Sequence, residues 1–257
     1  MSQLQLTMIQ SALVWEDRAA NLRHFDALLG GMPATDLVLL PEMFSTGFSM
    51  RSDTLAEPMD GATMTWLASK AEQLNTVICT SFICEDGGQH FNRLIWMRPD
   101  HSHAFYDKRH LFWMADEHHH YEPGKKRLIV ELNGFRICPM ICYDLRFPVW
   151  CRNREDYDLL LFVANWPSPR VAHWQSLLNA RAIENIAYVA GLNRVGADGH
   201  GIAHPGASLV YDFAGQCLLD MGNAAGVQSV TLDLQALGLY RQGFPAARDA
   251  DPFTLSD

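Results

Sequence analysis

The chain has 257 residues, of which 48 % are hydrophobic and 19 % charged, and 20 basic against 29 acidic side chains leave a net charge of −9. That is enough chain for a substantial core in an ordinary globular protein. The acidic balance and the absence of a long basic run argue against nucleic acid or an anionic membrane surface as a partner, and no apolar run nears the roughly 20 residues that span a bilayer.

Leu4, Leu6 and Met8 alternate with polar or small residues, which predicts a strand over residues 4–10. The opening Met1-Ser2-Gln3-Leu4-Gln5-Leu6 lacks the basic and apolar regions of a signal peptide. A helix is expected from Asp17, with Leu22, Phe25, Leu28 and Leu29 on one face, stopped by Gly30-Gly31 and Pro33. Asp36-Leu37-Val38-Leu39-Leu40-Pro41 reads as a short strand covered on both faces, and it runs directly into Glu42. Met64, Leu67, Ala68, Ala71 and Leu74 repeat at helical spacing over residues 62–74.

Residues 76–84 and 91–97 form a hairpin pattern joined through Asp86-Gly87-Gly88, and the strand 103–107 ends at Lys108. The connection 113–126 shows little periodicity and contains Glu117 and His118-His119-His120. Three consecutive side chains diverge, and no helical His-x-x-x-His pair or Cys-x-x-Cys pair supports them, so no metal site is expected. A second hairpin pairs residues 128–132 with 135–142 through Asn133-Gly134.

A buried strand at 159–163, a helix at 173–186 with Trp174, Leu177, Leu178 and Ala182 inward, and a strand at 187–193 come next. A Gly-rich loop at 195–201 precedes strand patterns at 208–211, 216–220 and 226–232, then a short helix at 234–240. We expect one α/β domain over residues 1–243. The weakly patterned tail 244–257, with Pro245 and Pro252, is expected to pack on a partner subunit. The six cysteines (Cys79, Cys84, Cys138, Cys142, Cys151 and Cys217) lie mostly in apolar strand-like settings, as reduced thiols of a cytoplasmic protein do.

Three strand ends thus deliver Glu42, Lys108 and Cys142, and open α/β folds build sites from strand ends. Cys142 falls where an apolar strand meets Tyr143-Asp144-Leu145-Arg146-Phe147-Pro148, with Pro148 suited to a helix start. A thiol on such a junction suits nucleophilic attack on a carbon–nitrogen bond. Glu42 is then the base, and Lys108 and the Tyr143 backbone N–H hold the oxyanion, with Glu117 in the loop between Lys108 and Cys142. Phe44, Trp113, Met114 and Trp166 are expected to wall the pocket. Arg170 and Arg194 are the candidate cations for any carboxylate that a substrate carries, whereas Arg146 is expected to brace the turn.

Leu40-Pro41-Glu42-Met43-Phe44, Tyr106-Asp107-Lys108-Arg109-His110-Leu111-Phe112, Glu117 six before Pro123-Gly124, Cys142-Tyr143-Asp144-Leu145-Arg146-Phe147-Pro148 and Arg181-Ala182-Ile183-Glu184-Asn185 span most of the chain. Together they resemble the nitrilase superfamily of carbon–nitrogen hydrolases. Ala164-Asn165-Trp166-Pro167 and Asn193-Arg194-Val195-Gly196 are similar to its bacterial omega-amidase branch, which hydrolyses 2-oxoglutaramate or 2-oxosuccinamate. The resemblance implies an α-β-β-α sandwich, one domain with two mixed sheets, a homodimer and no cofactor, with Glu117 orienting Lys108 and the substrate nitrogen. Rival readings are a hydrolase of ureido compounds or aliphatic amides, or a binding protein that has lost catalysis on the same fold.

Overall fold

A computed structural model describes residues 2–255. In the first half, β1 (Gln3–Gln10) leads to α1 (Arg18–Gly30), whose N-terminus is capped by the Asp17 carboxylate accepting from the Ala20 N–H. Then come β2 (Leu37–Leu39), α2 (Ser52–Leu55), α3 (Ala62–Leu74), β3 (Val77–Asp86), β4 (Gln89–Met97) and β5 (His103–Asp107). The second half holds β6 (Val130–Leu132), β7 (Phe135–Ile141), α4 (Pro148–Cys151), β8 (Leu159–Ala164), α5 (Val171–Asn185) and β9 (Tyr188–Asn193). It continues with β10 (Val195–Ala197), β11 (Ala203–Pro205), β12 (Leu209–Tyr211), β13 (Cys217–Asp220), β14 (Gly226–Asp233) and α6 (Leu234–Gly243).

Two six-stranded mixed sheets result, in the orders β14-β1-β2-β3-β4-β5 and β13-β12-β9-β8-β7-β6. Each has a parallel centre, β1-β2-β3 in one and β7-β8-β9 in the other, flanked by antiparallel strands. The late strand β14 returns to pair along the whole of β1, so both ends of the fold share a sheet.

Period-two alternation decides which residue enters which layer. Leu37 and Leu39 of β2 turn to the core shared with the second sheet, while Val38 turns to the layer of α1 and α3. That outer layer buries Phe25 and Leu29 of α1 and Met64, Leu67 and Ala71 of α3; each large apolar side chain so buried contributes about 1.5–3 kcal/mol. On the far side, Trp174, Leu178 and Ala182 of α5 cover the second sheet. Gly191 in β9 permits this contact, since a Cβ there would sit 2.5 Å from Leu178 and 2.7 Å from Trp174. The layers therefore stack α-β-β-α.

Two stretches differ from expectation. Residues 195–201 are not a plain loop: β10 and β11 pair as a short antiparallel hairpin. The connection after Phe112 contains two 3-10 turns, Trp113–Ala115 and Glu117–His119, separated by Asp116 in the left-handed region at φ 56°. Single turns of this kind carry no periodicity for a sequence to display. Of the tail, Ala246 and Leu255 pack against the main core, and its last two residues lie outside the described range.

Candidate active site

The chain turns sharply at two of the three strand ends. After β2, Thr80 Oγ1 donates to the Pro41 carbonyl and Ser81 Oγ accepts from the Met43 N–H, with Met43 left-handed at φ 45°. Glu42 is thereby aimed inward and fully buried. After β7, Cys142 itself is left-handed at φ 43° and opens a 3-10 turn, Cys142–Arg146. A non-glycine residue held there stores strain of order 1–3 kcal/mol, of the kind found at reactive sites. As the first residues of the turn, Cys142 and Tyr143 have backbone N–H groups without a helical carbonyl behind them. At the end of β5, Lys108 is held by its N–H donating to the Asn92 carbonyl and its carbonyl accepting from Gly124. A Cβ at Gly124 would fall 1.9 Å from the Asp107 carbonyl oxygen, so only glycine fits.

These turns bring Glu42, Lys108, Glu117 and Cys142 to one place. Lys108 Nζ donates to Glu42 Oε1 at 3.0 Å and to both Glu117 oxygens at 3.0 Å, and all three side chains are buried. Asn92 Nδ2 donates to Glu42 Oε1 at 2.8 Å and is itself oriented by Ser81 Oγ. The Asn165 N–H donates to Glu42 Oε2 at 2.8 Å, and the Phe112 N–H to Glu117 Oε2 at 2.5 Å. Buried charges are costly unless so bonded, and even a well-made buried pair adds little net stability. The arrangement therefore serves chemistry rather than folding.

Burial opposes the charge on Lys108, but Glu117, Glu42 and Cys142 outweigh it, and the ammonium holds its proton above the ordinary lysine range. Burial raises Glu117 above the usual carboxylate range, only partly offset by Lys108. Burial, and then the negative charge of Glu42, push the Cys142 thiol well up against the opposing pull of Lys108 and the Asn165 N–H. Burial and the neighbouring negative charge of Glu42 thus keep the resting sulfur a thiol.

Asp144 is a residue that sequence reasoning passed over. Its fully buried carboxylate accepts from the Ile141 N–H (3.1 Å), Tyr106 Oη (2.7 Å), the His110 N–H (3.0 Å) and His110 Nδ1 (2.8 Å). Trp150 Nε1 and the Arg109 N–H donate to the same Tyr106 oxygen. The cysteine turn and the lysine-bearing segment are thus tied to one another through Asp144. Asn165 shared the signal that pointed to the others, a polar residue at a strand end; Asn92, inside β4, gave no such signal.

Above Cys142 opens a cavity of about 670 Å³ that reaches Glu42 and Lys108. Met114, Trp166 and Arg170 line it, as expected. Phe44 does not: it packs edge-on to Phe25 and against Trp66 in the helix layer, each at 5.5 Å between centroids, and Phe48 and Met50 face the cavity instead. Trp113 also lies off the wall, 70 % exposed and stacked on His118. Arg194 is buried away from it, bonding the Val195 and Ala197 carbonyls, and burial lowers its pKa to about 10. Its sequence neighbourhood could not reveal that the side chain folds back on its own hairpin. Arg146 takes the opposite correction, because it lines the cavity, contacts His173 Nδ1 at 3.2 Å and stacks over Trp166 at 5.2 Å.

Residues 3–242 match the family model described as carbon-nitrogen hydrolase. The chain is 49 % identical over 254 residues to omega-amidase YafV of Escherichia coli (strain K12), covering 98 % of each. It is 32 % identical over 219 residues to a 2-oxoglutaramate amidase of Bacillus subtilis (strain 168), covering 83 % of this chain and 84 % of that protein. Among solved structures, XC1258 from Xanthomonas campestris, a CN-hydrolase superfamily protein with an arsenic adduct in the active site, superposes with a TM-score of 0.97 at 45 % identity over 100 % of both chains.

Proposed function

Because this chain belongs to the carbon–nitrogen hydrolase family, a family of hydrolases acting on non-peptide amides, we propose that it releases ammonia from the terminal amide of a small anionic omega-amide such as 2-oxoglutaramate or 2-oxosuccinamate. The observation that carries the reading is a buried ammonium bonded to two carboxylates, with Glu42, Lys108 and the Cys142 thiol lining one cavity.

In the proposed cycle Glu42 takes the proton of the Cys142 thiol as sulfur attacks the amide carbon. The carbonyl electron pair moves onto oxygen, and that oxyanion is held by Lys108 and the Tyr143 backbone N–H. With the two Glu117 oxygens sharing one ammonium proton and Glu42 taking a second, the third is left for the oxyanion. Collapse of the adduct breaks the carbon–nitrogen bond, with Glu42 returning its proton to the departing nitrogen as ammonia. Water then enters, Glu42 removes its proton, hydroxide adds to the thioester, and the carbon–sulfur bond breaks to give the acid and the restored thiol. Glu117 keeps Lys108 in position.

Arg146 and Arg170 on the cavity wall favour an anionic substrate over a neutral aliphatic amide, since guanidinium binds carboxylate through paired hydrogen bonds. The test is ammonia release across 2-oxoglutaramate, an N-carbamoyl amino acid and propionamide. A kcat/KM highest for 2-oxoglutaramate is expected; preference for the ureido compound or the neutral amide would overturn the assignment. A trivalent arsenical should inactivate the enzyme, with substrate protecting it, in line with the adduct in the Xanthomonas protein. We further read the chain as a cytoplasmic homodimer paired through the apolar side chains exposed on α5, α6 and the tail, namely Ile183, Leu239 and Phe244. Sedimentation at the monomer mass would refute the pairing.

A further inference from the structure

We propose that Asp116, His118 and His119 form a binding site for a borderline divalent cation of the zinc class, on the outer face of the turn that carries Glu117. One ligand atom from each lies within 4.8 Å of the others, although consecutive histidines alone would diverge. The left-handed Asp116 makes the difference: it reverses the chain between the two 3-10 turns and brings its carboxylate round to the imidazoles, while His120 takes no part.

Two further observations point to a ligand. The His118 ring is clamped parallel to Trp113 at 3.7 Å and 8°, which fixes an imidazole that would otherwise rotate freely. His118 Nδ1 is buried without a hydrogen-bond partner among the described residues, a cost that a metal bond would remove. Asp116 and His119 are exposed and free to close the remaining distance. An ion with ligands at about 2.1 Å in a tetrahedron holds them about 3.4 Å apart, so a movement of the order of an ångström completes the set, with water in the open position. Two imidazoles and a carboxylate suit zinc, copper or nickel rather than magnesium or calcium. Glu117 sits between the ligands in sequence but points the other way, into the charge cluster. An ion bound outside therefore holds the segment that positions Glu117 inside.

The experiment is calorimetric titration of ZnCl₂ into the tag-free full-length protein after iodoacetamide has capped the accessible thiols, so that Cys142 and Cys217 cannot supply the ligand. Saturable binding is expected, and His119→Ala and Asp116→Asn should each weaken it at least tenfold while the far-ultraviolet spectrum is unchanged; His119→Gln serves if the alanine variant does not fold. Absence of zinc binding to the parent, or equal binding by the folded variants, overturns the proposal.

Discussion

The floor and the rim of the cavity are built on opposite principles. On the floor, Glu42, Lys108 and Glu117 are fully enclosed, every charge is answered by a partner at about hydrogen-bond distance, and the backbone turns that present them are fixed by side chains such as Ser81, Asn92 and Asp144. At the rim, Met114 is 78 % exposed, and Arg146 and Arg170 are held by stacking on Trp166 and Phe112 rather than by buried ion pairs. In the proposed cycle a preorganised floor lowers the barrier of a reaction common to many amides, whereas an adaptable cationic rim selects among them. Floor substitutions should therefore act on kcat and rim substitutions on KM.

The largest effect is expected for Cys142→Ala, with a loss of ammonia release on the order of 10⁴-fold or more and an unchanged melting temperature to within a few degrees. Residual turnover near that of the parent would remove the thioester. Glu42→Gln should cost about 10²–10⁴-fold in kcat. It also sharpens the assignment of base through pH. Because the folded Cys142 pKa is raised, thiolate is scarce at neutral pH, and the rapid alkylation by iodoacetamide expected of the parent at pH 7 depends on Glu42. In the Glu42→Gln enzyme no base is left to take the proton and burial still disfavours the thiolate, so alkylation at pH 7 should fall and recover only as pH is raised. Equal rates at pH 7 would exclude Glu42 as base.

Lys108→Met should fall between the two regions' behaviours by hitting both activity and folding. Loss of the oxyanion donor costs about 10²–10³-fold, and two carboxylates left buried without a cation cost about 3–5 kcal/mol by chemical denaturation. The sign on pH follows from the raised lysine pKa: the stabilisation it brings is complete below about 10.4 and is lost as pH rises through the higher folded value. Asp144→Ala should destabilise by about 1–3 kcal/mol through the donors it orphans and lower kcat with little change in KM, by loosening the cysteine turn. Smallest is Arg146→Met at the rim, with KM for 2-oxoglutaramate up about tenfold, roughly the 1.4 kcal/mol of one exposed charge-assisted contact, and kcat nearly kept. An Arg146 variant that lost kcat instead would dissolve the distinction between floor and rim.

The sequence by itself determined the floor's membership and most of the layers. Strand ends are visible as apolar runs stopping at Glu42, Lys108 and Cys142, and the unbroken apolar run Leu37-Val38-Leu39 already implies a sheet covered on both faces. What only the tertiary structure decided is where long side chains point once the backbone has turned. Phe44 follows a left-handed Met43 and swings into the helix layer, Arg194 bonds the carbonyls of its own hairpin, and Arg146 reaches the cavity because its turn lies beneath Trp166. Likewise, Asp144 holds the cysteine turn against Tyr106 and His110, residues more than thirty positions away. Periodicity fixes which face of an element is apolar; a loop side chain has no such period, and its direction depends on partners supplied by the rest of the fold.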